Sequence, residues 1–87
     1  MKYQPSTVDQ AVDYVLAVLS DEDKQTIRAM PEHEVGANLH FGLGMWIRNN
    51  LGLWHGNEGL VAMSGSLHPD DASSVIVKAL WRRLQDA

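Results

Sequence analysis

The stretch Leu39-His40-Phe41-Gly42-Leu43-Gly44-Met45-Trp46-Ile47-Arg48-Asn49-Asn50-Leu51-Gly52-Leu53-Trp54 decides how this chain is read. Leu39, Leu43, Trp46, Ile47 and Asn50 fall at steps of three and four, the spacing of one helical face. Leu51 and Leu53 flank Gly52, and a glycine there suits the left-handed residue that ends a helix. The spacing predicts a helix from about Val35 to Leu51. Gly42 and Gly44 oppose it, since each costs about 1 kcal/mol relative to alanine inside a helix. A helix that keeps two such residues implies close approach by another backbone, or by a ligand. Packing is the first reading and ligand binding the second.

Toward the N-terminus the signals are plainer. Thr7 with Gln10 three residues on fits a capping box. Val8, Ala11, Val12, Val15, Leu16 and Leu19 then repeat at helical spacing, with Asp9 and Asp13 on the other face. Ser20 with Asp23 is a second capping signal, and Asp21, Glu22 and Asp23 suit the positive end of a helix dipole. Ile27 and Met30 are expected to face inward, and Pro31 stops the run. Pro31-Glu32-His33-Glu34 fits the opening turn of a further helix, with Pro31 at its first position.

Toward the C-terminus, residues 55–67 are rich in glycine: Gly56, Gly59 and Gly65. Asn57 to Met63 reads as a short turn of helix, or Leu60-Val61-Ala62-Met63 as a strand with no visible partner. His68-Pro69-Asp70-Asp71 opens a last helix to about Leu84. Its apolar stripe is Ala72, Val75, Ile76, Ala79, Leu80 and Leu84, widened by Val77 and Trp81. The expected architecture is all-α: one domain over residues 1–87, a bundle of four or five helices with a Gly-rich loop before the last.

The totals narrow the functional classes. The chain has 87 residues, 45% of them hydrophobic, enough for one small core. Cysteine is absent, which excludes disulfides, thiolate zinc sites and cysteine nucleophiles. No apolar run of about 18 residues exists to span a membrane. The opening residues lead into a helix carrying Asp9 and Asp13, unlike a signal peptide, so the expected compartment is the cytoplasm. The net charge is −4, and seven basic residues are dispersed except for Arg82-Arg83. Nucleic acid is therefore not the expected partner. An acidic surface suits a basic protein partner.

Two segments carry a resemblance. Ile47-Arg48-Asn49 followed by Gly52-Leu53-Trp54, and then His68-Pro69-Asp70-Asp71-Ala72-Ser73, resemble the motifs of a family of small bacterial proteins designated domain of unknown function 6794. The resemblance covers most of the chain. It implies no particular activity and transfers no catalytic residue.

Arg48, Asn49 and Asn50 sit among apolar residues. A guanidinium there makes bidentate pairs with carboxylates or phosphates. One reading is an anion anchor for a ligand or partner. The other is an internal pair with Asp70 or Asp71 that locks the third helix to the start of the last. His40, eight residues before Arg48, lies on roughly the same face. It joins a site for phosphate or acid–base chemistry, or it is a histidine bonded to a nearby backbone group. Trp46 and Trp81 lie on or beside apolar stripes and read as core. Trp54, beside His55-Gly56-Asn57, is the tryptophan expected to be partly exposed and to touch a partner.

Other chemistries find little support. His33-Glu34 lacks the second histidine of a zinc-binding helix, and His33, His40, His55 and His68 lack ligand spacing, so no metal or other cofactor is expected. Gly42-Leu43-Gly44 begins like a dinucleotide fingerprint but lacks its third glycine and its preceding strand. The expectation is a non-enzymatic interaction module of immunity or regulatory type. It would bind a protein through the loop from Trp54 to His68 and the acidic faces of the first two helices. The alternative is a site for a small anion or nucleotide, with Arg48, Asn49, Asn50 and His40 lining a pocket beneath Gly42 and Gly44. An enzyme of this length would build its site between subunits. A homodimer is compatible with the apolar surplus of three tryptophans and four methionines.

Overall fold

Helix α1 (Val8–Val18) begins where its capping signal lies. The computed structural model describes residues 5–54, 57–65 and 68–86. Thr7 Oγ1 accepts the Gln10 amide at 3.1 Å, and Gln10 Oε1 accepts the Ser6 amide at 2.9 Å. The box thus closes one residue further out than the reciprocal pattern, yet it still satisfies two orphan donors. Helix α2 (Asp21–Arg28) is capped by Ser20 Oγ, which accepts the Asp23 amide at 3.1 Å.

After Pro31 the chain runs helically from residue 32 to residue 50, in three contiguous pieces: α3 (Glu32–Leu39), a π turn (His40–Gly44) and α4 (Met45–Asn50). The start lies three residues before Val35. Pro31 is the cap, not the first helical residue, and its carbonyl accepts the Glu34 amide at 3.0 Å. Leu39, at φ −103 and ψ 0, widens the coil into the π turn. The rod stops at Gly52, whose φ of 74 is left-handed, and the Leu53 amide returns to the Arg48 carbonyl at 3.3 Å. That is the long bond of a Schellman cap.

Residues 58–63 are helical, not extended. Helix α5 (Glu58–Met63) is capped by Asn57 and leaves through Gly65 at φ 80. Helix α6 (Pro69–Gln85) is the longest element, one residue longer than its apolar stripe predicts. The bundle packs around it: α1, α2, α3, the π turn, α4 and α5 all touch α6. Ala72, Ile76, Val77, Leu80 and Leu84 of α6 join Ala11, Val12, Val15, Ile27, Val35, Ile47, Leu51 and Leu60 in one apolar cluster. Trp46 and Trp81 are partly buried at its edge, not inside it. The Trp81 indole donates to the Met30 carbonyl at 2.8 Å, so the tryptophan that widens the α6 stripe also fixes the end of α2. Val75, read as part of the stripe, is only half-buried, while Ser73 is buried.

The architecture is an all-α bundle, as the periodicities predict. Among the described residues no helix is long and apolar enough to cross a membrane. Ion pairs fasten the far end of α6. Arg83 meets Asp13 at 2.6 Å and Asp9 at 3.6 Å, and Arg82 meets Glu32 at 3.0 Å. The hydrogen bond to Asp13 holds the Arg83 pKa above its ordinary value. The acidic face of α1 is therefore largely taken up within the fold.

Candidate functional site

The polar centre of the molecule is Arg48, only 4% exposed. Side chains on a helix lean toward its N-terminus, so Arg48 lies back along the rod over Gly44 and reaches the level of His40. Its Nη2 donates to the His40 carbonyl at 3.1 Å, and its Nη1 donates to Ser73 Oγ at 2.9 Å. Its Nε faces Asp70 Oδ1 at 3.3 Å, an ion pair by distance but off the line of a hydrogen bond. Ser73 Oγ in turn donates to the Asp70 carbonyl at 2.9 Å. One guanidinium thus joins the π turn to the first turn of α6.

The two glycines have different surroundings. A β-carbon on Gly44 would lie 3.0 Å from the Leu39 carbonyl oxygen and 3.3 Å from Arg48 Nη1. Gly44 is therefore bare because both the wide turn and the guanidinium press on it. A β-carbon on Gly42 would meet nothing within 4 Å.

The expected internal lock forms through Asp70. Asp71 is exposed on the outer side of the same turn and takes no part. His40 contributes its backbone carbonyl to Arg48, while its ring stands edge-on to Phe41 at 4.9 Å. Asn50 Nδ2 donates to the Trp46 carbonyl at 2.8 Å, within the rod. Asn49 accepts the Trp54 indole at 3.0 Å, and Trp54 stands edge-on to His68 at 6.2 Å. His68 Nδ1 accepts the Asp70 amide at 3.1 Å and so caps α6. Asn57 is buried and donates to the Pro5 and Leu51 carbonyls, tying the N-terminal segment to the end of α4. His55 lies outside the described residues.

Of the residues expected to line a pocket beneath Gly42 and Gly44, Arg48 is buried and paired, and the cleft that Gly42 borders has none of Arg48, His40, Asn49 and Asn50 in its lining. This cleft has a volume of about 470 Å³. Three helical rows wall it: Val15, Val18 and Leu19 of α1 and its cap; Asp23, Thr26 and Ile27 of α2, with Met30 just past its cap; Leu39, Gly42, Leu43 and Trp46 of the rod. Asp23 is the one charged side chain in that lining. Tyr14 stacks on Trp46 at 6.2 Å. Val18 is 52% exposed, and Phe41 and Met45 leave the same rod exposed at 77% and 42%. No sequence signal separates this cleft from core, because each row taken alone has the spacing of a buried face.

Among the described residues no group of three His, Asp or Glu side chains is placed to hold a metal ion. The fold and the lock define a small helical module with a structural arginine at its centre and an open apolar cleft at its side. The family model described as "Domain of unknown function (DUF6794)" matches residues 4–84, and the chain belongs to that family. No curated protein and no solved structure matches it significantly.

Proposed function

We propose that this domain is a non-enzymatic protein-interaction module, and that a partner protein docks in the cleft between α1, α2 and the π turn. The observation that carries this reading is the open, largely apolar lining, which includes the half-exposed Val18. Exposed apolar patches rimmed by polar residues mark interaction surfaces, and a small acidic chain has few other reasons to keep one. Trp54, the expected contact residue, lies half-exposed at the end of the rod and is held by Asn49. The cysteine-free composition favours a cytoplasmic encounter.

The alternative, an anion held by Arg48, would have to displace Asp70 and Ser73 from the guanidinium. It lacks the reachable cation it needs.

The test is affinity capture from the native host with the wild-type chain and with Gly42→Leu, which fills the cleft mouth from a position where a side chain has room. A protein recovered by the wild type and lost with Gly42→Leu is the expected result. Equal recovery by both, or recovery by neither, overturns the reading. Sedimentation of the two purified chains shows whether the captured protein is a second copy.

A further inference from the structure

Resting on the docking reading above, we infer that the occupant of the cleft is a basic amphipathic helix. The walls themselves favour a helix over an extended segment. Each is a helical row at steps of three and four, with its backbone bonds closed inside its own element. An extended peptide would bring unpaired N–H and C=O groups into an apolar cleft with no sheet edge to receive them. A helix brings its backbone already satisfied and lays an i, i+3, i+4, i+7 ridge between such rows. Gly42 sits midway along the rod's row, and its lack of a side chain lets a partner backbone come close.

Charge sets the sign of the partner. Asp9, Asp13, Glu32 and Asp70 are all paired within the fold. Asp21, Glu22 and Asp23 are exposed on the first turn of α2, outside the ion pairs of the described residues, and Asp23 faces the cleft. Lys24 lies off the Asp23–Thr26–Ile27 row. Along the opposite wall, no charged residue occurs between Glu34 and Arg48, and Arg48 is buried. A ligand helix with Lys or Arg flanking its apolar ridge therefore meets the unpaired Asp23 carboxylate on one wall and no fixed cation on the other.

The experiment uses a synthetic leucine–lysine peptide with leucine at helical steps, its glutamate counterpart, and anilinonaphthalene sulfonate as a small apolar probe. Binding to the full chain is followed by amide and indole chemical shifts. The lysine peptide is expected to move the signals of Val18, Ile27, Leu43 and the Trp46 indole. Asp23→Lys should weaken it by about five-fold, and Gly42→Leu should abolish it, with the fold of each variant checked by circular dichroism. Equal binding of both peptides overturns the basic helix and leaves the docking reading standing. Cleft signals moved by the small probe but by neither peptide overturn it too, and point to a small apolar ligand. If neither peptide moves these signals while cleft-dependent capture of a protein succeeds, the partner is of another kind and only this inference falls.

Discussion

At Arg48 the cost of a substitution depends on what it leaves behind. Replacing a buried ion pair by apolar side chains is often close to neutral, whereas removing one partner strands the other. Arg48→Ala leaves a void and takes the donors away from Ser73 and the His40 carbonyl, so it should cost about 2–3 kcal/mol in urea unfolding. Asp70 is 44% exposed and can turn to water, which keeps the loss below that of a fully buried pair. Asp70→Asn strands a buried cation. The double variant Arg48→Met/Asp70→Asn should therefore be more stable than Asp70→Asn alone. Additive losses in that cycle would show that Asp70 and the guanidinium do not stabilise each other.

At the scale of the element, the two glycines of the rod predict opposite outcomes. Gly42→Ala adds a methyl in open space and removes a helix-breaking residue, so the melting temperature should rise, by up to about 1 kcal/mol in stability. Gly44→Ala drives a methyl against the Leu39 carbonyl and the Arg48 head, and should cost about 1–3 kcal/mol. Gly52→Ala imposes a left-handed φ on a side chain and should cost about 1–2 kcal/mol. A Gly44→Ala chain as stable as the wild type would contradict the crowding described at the π turn. These contrasts also mark what could be read in the letters. Thr7, Ser20 and Gly52 announced their caps because capping needs only near neighbours in the chain. The pairing of Arg48 with Asp70 followed from placing a lone cation among apolar residues. The π turn did not, because it depends on the Leu39 backbone angle and on where α6 presses. Ser73 gives no such signal, because a hydroxyl beside an apolar stripe has the pattern of a solvent residue. The cleft was hidden for a different reason: three rows that each resemble core fail to close on one another.

For the whole molecule, the surface ion pairs at the end of α6 are the weaker fastening. Arg83→Ala should cost under about 1 kcal/mol, and less in high salt, because exposed pairs are screened. The deeper dependence is on α6 itself. Every other helix rests on it, Trp81 holds the end of α2, and Gln85 Nε2 donates to the Arg28 carbonyl at 3.0 Å. That places the organising element after all its clients in the order of synthesis. A nascent chain emerging from the ribosome would display the apolar faces of α1 and the rod without their α6 cover until α6 itself has emerged. Nascent chains arrested at Ser74 should therefore remain sensitive to protease, while chains with all of α6 outside the ribosome become resistant.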